Sequence, residues 1–328
     1  MVKLNEKKSE LIAAFDNKLN TFHHNIYYHN RDNEYCADPF LGFRLKKLKK
    51  YIDNKLILET NSLGLREKEL SEENKFDVLF LGGSFIYGVN APGNEATIPR
   101  LFSDIHKSTV FNAGIPGHVL KQHFSLYFNY LMHLEVTKII LVFGFNDLVN
   151  CFNNKSYGEI SIDSYQKTID EINNRPIIKP LKILLRNLIS FKGLKTKSLK
   201  KNKTQNVENY DTKILKYCDR VFKDVKLFNN YCKKNNIQLF TILQPTLVNS
   251  KKKLSGYEKN HLSNLNDEKK KFVTKFYETL SEKLNSFENF RNFSGIYDEF
   301  DRMIFTDEVH VGDFGNKVFS EKLASFVK

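Results

Sequence analysis

Side chains that could perform nucleophilic catalysis stand in separate stretches of this 328-residue chain. Ser84 follows two glycines at the end of a short apolar run, and a turn without β-carbons can project its hydroxyl from a sheet edge. Asp307 and His310 stand three residues apart, so one turn of chain brings the carboxylate to one imidazole nitrogen and leaves the other nitrogen free. The residue types and their spacing therefore indicate a serine nucleophile with a histidine base and an orienting carboxylate.

A further candidate is Asn146, which follows another apolar run. Its amide could donate a hydrogen bond to a developing oxyanion, together with the backbone N–H groups of Ser84 and Gly117. Each candidate also has an ordinary structural interpretation. The serine could cap a helix, the asparagine could end a strand in a turn, and the Asp–His pair could form a capped surface turn. Taken singly, none of them decides between catalysis and structure.

The elements that must position these residues are predicted to alternate between strand and helix. Strands are expected at 55–59, 76–81, 110–113, 138–143 and 237–243, with a further short strand within 295–301. Helices are expected at 3–20, 98–105, 119–134, 212–235, 266–284 and 315–327. This alternation predicts a parallel sheet, and the candidate residues follow strand ends at the edge where open α/β sheets bind ligands. We expect a three-layer α/β/α sandwich around a parallel sheet of about five strands.

Taken together and in this order, the stretches resemble the four sequence blocks of the SGNH/GDSL hydrolases. The matching segments are Gly82-Gly-Ser-Phe85, Asn112-Ala-Gly-Ile-Pro-Gly117, Gly144-Phe-Asn-Asp147 and Asp307-Glu-Val-His310. The similarity extends to Asn61-Ser-Leu-Gly-Leu-Arg66, Gln244-Pro245 and Val311-Gly-Asp-Phe-Gly315. It spans about 61–327 without the insertion near 151–210. The combination is far more specific than any one piece, because the blocks agree with the strand order inferred independently.

The resemblance implies a flavodoxin-like SGNH fold and a role for each matched residue. Ser84 attacks an ester carbonyl, and His310 takes its proton and later returns it to the leaving alcohol. Asp307 orients His310 and stabilises the imidazolium. The N–H groups of Ser84 and Gly117 and the amide of Asn146 hold the oxyanion. The resemblance implies no metal and no organic cofactor.

One position departs from the family pattern, because Gly83 stands where the family name has the aspartate of Gly-Asp-Ser. That residue is not one of the four catalytic positions, so we expect the chemistry to survive with altered hydrogen bonding in the nucleophile loop (82–84). Two further residues could bind substrate. They are Arg66, whose guanidinium suits anionic or sugar ligands, and His118, which follows Gly117. The alternatives are a structural salt bridge for Arg66 and a solvent-facing side chain for His118.

Two regions lie outside this alternation. Residues 1–60 are expected to form a helical and irregular extension packed on the core, with an irregular, aromatic-rich stretch at 23–45. Residues 61–328 form the hydrolase domain, with a helical, basic insertion at about 151–210. Within it, the segment 181–203 carries eight Lys or Arg and no acid. This segment resembles a basic interfacial helix with weak affinity for an anionic membrane surface, and packing on the sheet is the alternative.

The composition of the chain indicates which partners and which cellular compartment to expect. The net charge is +13, but segment 181–203 supplies eight of those charges and no nucleic-acid-binding motif accompanies it, so no nucleic-acid partner is expected. The cysteines, Cys36, Cys151, Cys218 and Cys232, have no metal-type spacing and indicate thiols in a reducing compartment. No run approaches the ~20 apolar residues of a membrane span, and the N-terminus lacks a signal-peptide core. The sequence predicts a cytoplasmic protein.

The predicted activity is hydrolysis of an ester through an acyl-enzyme, with an O-acetyl or short acyl group on a carbohydrate as the favoured substrate. The same triad would serve a glycan O-acyltransferase if a sugar hydroxyl outcompeted water for the acyl group. A third interpretation is a membrane-surface binding or scaffold protein with a vestigial site. Four matched catalytic loops argue against a purely structural role. The acyl group, the acceptor and the oligomeric state stay open at this point.

Overall fold

The computed structural model describes residues 35–52, 55–70, 75–159 and 210–327. The helix expected at 3–20, residues 160–209 of the insertion and the basic segment 181–203 lie outside the described residues. The described strands are β1 (Tyr35–Asp38), β2 (Gly42–Leu45), β3 (Lys49–Ile52), β4 (Lys55–Glu59), β5 (Lys75–Gly82), β6 (Val110–Gly114), β7 (Glu135–Phe143), β8 (Gln238–Leu243) and β9 (Phe290–Asn292). The described α-helices are α1 (Ser84–Tyr87), α2 (Ile98–His106), α3 (Leu120–Leu126), α4 (Phe145–Phe152), α5 (Tyr210–Lys234), α6 (Gly256–Ser263), α7 (Asp267–Leu284) and α8 (Asp313–Phe326).

Strands β5 to β9 form the central sheet, in the spatial order β6-β5-β7-β8-β9. Every adjacent pair is parallel. This is the doubly wound order in which the second strand lies outside the first and the later strands continue on the other side. Four successive residues of β5, 78–81, are fully buried, as expected for a parallel strand covered on both faces. The predicted parallel sheet of about five strands is confirmed.

Helices cover both faces of this sheet. Because successive strand residues point to opposite faces, β5 contributes Val78 and Phe80 to one core and Leu79 and Leu81 to the other. Helices α2 and α8 pack over the first face, and α3, α5 and α7 pack over the second. The predicted three-layer α/β/α sandwich is confirmed. None of the helices within the described ranges is long and apolar enough to cross a bilayer.

Two predicted elements differ from the structure. The short strand expected within 295–301 is wrong, because the edge strand is Phe290–Asn292, which pairs with β8. The expected stretch instead makes successive turns, in which the N–H groups of Ile296, Asp298 and Phe300 each donate to the carbonyl three residues earlier. The helix expected at 119–134 is α-helical only to Leu126. It continues as a wider π-helical turn over 127–131, which packs aromatic side chains against α5.

The sequence predicts an irregular stretch at 23–45, and this prediction is wrong for the described residues 35–45. Strands β1 and β2 pair antiparallel and form a hairpin, Tyr35–Leu45, which is called the N-terminal hairpin below. The sequence of the connecting turn does indicate a hairpin, but the prediction relied on the aromatic composition of the whole stretch. The Asp38 carboxylate accepts the N–H groups of Phe40 and Leu41, and Gly42 adopts a positive φ of 78°. An aspartate followed by proline and, after two residues, by glycine is typical of such a turn.

Candidate active site

The nucleophile loop brings Ser84 to the carboxyl end of β5, in the centre of the sheet. The side chain is half-buried and stands at the first position of α1. A β-carbon built on Gly83 would lie only 2.8 Å from Nδ2 of Asn146. The departure from the family pattern at Gly83 thus has a local consequence, because the absence of a side chain lets the Asn146 amide approach the nucleophile loop closely.

Ser84, His310 and Asp307 form a continuous hydrogen-bonded series. Nε2 of His310 lies 2.6 Å from Oγ of Ser84, and Nδ1 of the same ring lies 2.6 Å from Oδ2 of Asp307. A carboxylate can only accept, so Nδ1 carries the proton and Nε2 is left to accept the serine hydroxyl. The other carboxylate oxygen accepts the backbone N–H groups of Val309 and His310 at 2.8 and 2.7 Å. The loop thereby fixes the orientation of the carboxylate as well as that of the ring.

The electrostatics of this pair suit a general base. Burial alone would lower the pKa of His310, but the adjacent Asp307 carboxylate raises the pKa above the ordinary histidine value. Burial would raise the pKa of Asp307, yet the charge of His310 and the hydrogen bonds from residues 309 and 310 hold that pKa far below its usual range. Asp307 therefore stays ionised, and His310 is a stronger base than a free imidazole.

The acid–base loop, Asp307–His310, is attached to the core through a buried ion pair. Lys252 and Glu258 are both fully buried, with Nζ 2.7 Å from Oε2. The second oxygen of Glu258 accepts the N–H groups of Ile304 and Phe305, each at 3.0 Å, just before the loop begins. Burial would raise the pKa of Glu258, but the Lys252 ammonium and these N–H groups lower it, so the carboxylate stays charged.

Further hydrogen bonds and an ion pair hold the acid–base loop in place. The N–H and Oγ1 of Thr306 donate to the carbonyl of His310 at 2.9 and 3.1 Å. The hydroxyl of Tyr257 donates to the carbonyl of Thr306 at 2.8 Å, and Lys269 pairs with Glu308 at 2.5 Å. The segment before Asp307 and the end of the loop are thus fixed independently of the triad itself.

The expected oxyanion donors lie on two adjacent loops. Nδ2 of Asn146, in the first turn of α4, donates to the carbonyl of His118 at 2.8 Å. Gly117, the residue before His118, is exposed and has a φ of +81°, a backbone conformation that favours glycine. These two residues therefore stand together, with the Asn146 amide against the nucleophile loop. We call residues 115–118 the oxyanion loop.

Backbone carbonyls accept hydrogen bonds from both candidate substrate-binding side chains. Arg66 is buried, and its guanidinium donates to the carbonyls of Gly88 and Ala91 and to Oδ1 of Asn94. His118 is buried too, with Nε2 2.9 Å from the carbonyl of Phe43. The structure thus favours a structural role for Arg66, through hydrogen bonds to backbone carbonyls. The expectation that His118 lines the pocket or faces solvent is corrected, because its ring points into the protein.

Sequence reasoning missed the residues that support the site. The Ser255–Glu258 spacing is a visible capping box, and the structure has both of its hydrogen bonds, at 3.3 and 2.8 Å. The same Glu258 also contacts the acid–base loop, which the local pattern does not indicate. Asp147 is buried, accepts the N–H of Leu120 at 3.0 Å and has a pKa raised by burial to about 7. In the described residues, no group of three or more His, Cys, Asp or Glu could hold a metal.

Comparisons with known proteins give structural neighbours only. No family model matches the chain, and no curated protein matches it. A protein of Desulfitobacterium hafniense described as lipolytic and of the G-D-S-L family is 12% identical, with 77% of this chain and 99% of that chain covered and a TM-score of 0.40. The acetyl xylan esterase AlAXEase is 13% identical, with 77% and 100% covered and a TM-score of 0.44. A variant of the acetyl xylan esterase Axe2 from Geobacillus stearothermophilus is 10% identical, with 76% and 94% covered and a TM-score of 0.40.

The Desulfitobacterium hafniense protein bears the name of the group that the four sequence blocks resemble. At identities of 10–13% and TM-scores of 0.40–0.44, the similarity is too distant to assign a function.

Proposed function

We propose that this chain is a serine hydrolase of the SGNH type that cleaves a carboxylic ester through an acyl-enzyme. The observation that carries the proposal is the series Asp307–His310–Ser84, with 2.6 Å at both links and residues 84 and 310 separated by 226 positions in the sequence. A carboxylate, a correctly protonated imidazole and a serine hydroxyl at these distances form the constellation that activates a serine nucleophile.

The first half of the reaction forms the acyl-enzyme. Oγ of Ser84 attacks the ester carbonyl carbon while Nε2 of His310 takes the hydroxyl proton, and the carbonyl oxygen becomes an oxyanion. The Asn146 amide and the N–H groups of Ser84 and Gly117 stabilise this charge. When the tetrahedral intermediate collapses, the bond to the alcohol breaks and His310 returns the proton to the leaving oxygen. Asp307 stabilises the imidazolium throughout and keeps its own charge.

The second half repeats these steps with water. His310 takes a proton from a water molecule, whose oxygen attacks the acyl carbon, and the second intermediate releases Ser84 with its proton restored. The products are a carboxylic acid and the free alcohol. If the hydroxyl of a sugar replaces water, the same residues transfer the acyl group to that sugar, which is the alternative activity.

For the substrate, we propose an O-acetyl or short O-acyl group on a carbohydrate. The resemblance of the four sequence blocks supports this class. Ser84 is half-buried and Gly117 is exposed, so the described residues do not enclose the nucleophile at the end of a channel. A site of this kind suits a short acyl group on a large polar alcohol better than a long acyl chain, which needs an apolar channel.

The test is hydrolysis of p-nitrophenyl acetate and butyrate by the wild type, by Ser84→Ala and by Ser263→Ala. Ser263 is a matched control, because it ends α6 and its hydroxyl contacts only the carbonyl of Asn260 in the described structure. We expect wild type and Ser263→Ala to hydrolyse the acetate faster than the butyrate and Ser84→Ala to lose at least about 10⁴-fold in kcat. Activity that persists in Ser84→Ala would overturn the proposal.

Hydrolysis and acyl transfer are separated by adding a saccharide acceptor to the same assay. A hydrolase releases p-nitrophenol and free acid in equal amounts at every acceptor concentration. A transferase releases more p-nitrophenol as the acceptor rises, while the free acid falls and acylated saccharide accumulates.

A further inference from the structure

The N-terminal hairpin lies outside the sheet and contacts the start of α3, directly after the oxyanion loop. Three successive contacts join them, and in each one a backbone carbonyl of the hairpin accepts from a side chain of the core. Phe40 accepts from Oγ of Ser125 at 2.9 Å, and Leu41 accepts from Nε2 of Gln122 at 2.7 Å. The third is the bond from His118 to Phe43 at 2.9 Å. The hairpin thus lies alongside the oxyanion loop and α3 and is hydrogen-bonded to them at residues 40, 41 and 43.

His118 makes the contact nearest to the reacting groups. The side chain is 1% exposed, and its ring packs edge-on against Phe43, with the centroids 5.0 Å apart. Burial lowers the pKa of His118 to about 4, so the ring is neutral near pH 7. Because a carbonyl can only accept, Nε2 must carry the proton and donate it to the carbonyl of Phe43. Nε2 is therefore a fixed donor to the hairpin, and the buried Nδ1 has no hydrogen-bond partner in the described structure.

Gly117 and Asn146, the two expected oxyanion donors outside the nucleophile loop, are both held next to His118. The carbonyl of His118 accepts the Asn146 amide at 2.8 Å, which orients that amide toward the nucleophile loop. Gly117 precedes His118, and the Phe43 ring lies 3.4 Å from the position that a β-carbon on Gly117 would take. The hairpin therefore supports Gly117 by ring packing and His118 by a hydrogen bond, while the backbone of His118 supports Asn146.

We propose that the N-terminal hairpin is part of the catalytic apparatus and that His118 is a positioning residue that holds Gly117 and Asn146 in place for the oxyanion. This inference rests on the proposed function and deepens it. Preorganised donors stabilise a transition state because they need no reorientation as charge develops. Removal of the His118 anchor releases the edge of the oxyanion loop, so transition-state stabilisation is lost while the ester still binds.

The experiment compares His118→Phe, His118→Gln and His123→Phe with the wild type, using p-nitrophenyl acetate. Phenylalanine keeps the ring and removes the donor, whereas the amide nitrogen of glutamine can replace Nε2. His123 is the control for ring packing around His118, because it is equally buried on α3, its ring centroid lies 6.1 Å from that of His118, and no described contact joins its side chain to the hairpin. We expect kcat to fall about 10–10²-fold in His118→Phe with KM changed less than about twofold, substantial recovery in His118→Gln, and little change in His123→Phe.

Two further readouts separate positioning from general destabilisation. The midpoint of the pH profile of kcat/KM should be unchanged in His118→Phe, because the His310–Asp307 pair does not contact residue 118. In an Asn146→Ala background, His118→Phe should cost no more than about threefold, since part of what it positions is already absent. Equal losses in both backgrounds, or wild-type kcat in His118→Phe, would overturn the inference.

Hydrogen exchange keeps the test independent of activity. Backbone amides of residues 115–119 should exchange faster in His118→Phe than in wild type, while those of 304–310 exchange at the wild-type rate. If His118→Phe does not fold, Gln122→Met removes the neighbouring bond to Leu41 and also the acceptor of the Val119 N–H, so a smaller effect in the same direction is expected at the amides before Val119. A wild type that hydrolyses no ester refutes the proposed function alone. Unchanged exchange at 115–119 refutes the anchoring role of His118.

Discussion

The acid–base loop and the oxyanion loop meet at Ser84, but different kinds of group hold them. The acid–base loop is attached through full charges, because the buried Lys252–Glu258 pair contacts the segment just before Asp307. The oxyanion loop is held by neutral groups, namely the His118 imidazole and carbonyls of the N-terminal hairpin. The first support comes from within the α/β core, and the second comes from a hairpin that precedes it in the chain.

This difference matches the charge that develops on each side in the proposed reaction. On the acid–base side the charge that develops is positive, on His310, and Asp307 already balances it. The supporting pair beyond it is internally neutralised, so it adds rigidity without a net field. On the oxyanion side a negative charge develops, and an ionised carboxylate there would oppose it. The groups that contact the oxyanion loop directly are uncharged donors and acceptors, and burial raises the pKa of the nearby Asp147.

The largest effect is expected from removal of the charge on the acid–base side. Asp307→Asn should lower kcat by about 10⁴-fold, as loss of the orienting carboxylate does in other serine triads. The active form has neutral His310, so kcat/KM rises with pH through the pKa of this residue. In wild type that midpoint lies above the ordinary value of about 6.5, because Asp307 raises it. In Asp307→Asn only burial remains, and the midpoint should fall. A pH–rate profile with an unmoved midpoint would contradict the coupling.

The oxyanion side should give a smaller effect without a pH signature. Asn146→Ala removes one donor and should lower kcat by about 10²–10³-fold. The midpoint of the kcat/KM profile should stay at the wild-type value. Asn129→Ala is the matched control, because Asn129 is exposed on the π-helical turn and donates only to Ser125 in the described structure. Equal activity of Asn146→Ala and Asn129→Ala would show that the Asn146 amide does not stabilise the oxyanion.

Double variants can separate the effect of the charges of the buried Lys252–Glu258 pair from the effect of its hydrogen bonds. Lys252→Met with Glu258→Gln removes both charges but keeps an oxygen for the N–H groups of residues 304 and 305, and kcat should stay within about threefold of wild type. Lys252→Met with Glu258→Leu removes that oxygen as well, and kcat should fall by about 10-fold or more as the loop loses its register. Glu258→Leu alone leaves a buried ammonium unpaired and should lower the free energy of unfolding by about 3–5 kcal/mol.

Kinetics and thermal unfolding of these variants would show which component holds the acid–base loop. If both double variants are equally slow, the charges rather than the hydrogen bonds position it. If both are as fast as wild type, the pair has no part in the site.

The smallest effect on catalysis is expected at Arg66. Arg66→Met should leave KM within about twofold of wild type, because the guanidinium faces backbone carbonyls and not the site. The free energy of unfolding should fall by about 2–4 kcal/mol, since charged hydrogen bonds to buried carbonyls are lost. Steady-state kinetics and denaturant unfolding measure the two quantities. A KM that rises more than about tenfold with unchanged stability would restore the substrate-binding role.

The alternation of strand and helix patterns predicted the parallel sheet. The grouping of Ser84, Asp307, His310 and Asn146 was predicted from the four sequence blocks taken in order, because no single block was decisive. The support of the oxyanion loop could not be predicted in the same way. Its acceptors are backbone carbonyls, which every residue possesses, and the bond from His118 joins residues 75 positions apart. Glu258 was visible as a cap of α6, but its second oxygen acts on a segment 46 and 47 residues later.

The central claim, that Ser84 is the nucleophile, is tested most directly by covalent labelling with a fluorophosphonate followed by peptide mass spectrometry. We expect one adduct per chain, on the peptide that contains Ser84, with none on Ser84→Ala and much slower labelling of Asp307→Asn. An adduct on another residue, or equal labelling of wild type and Ser84→Ala, would contradict the account.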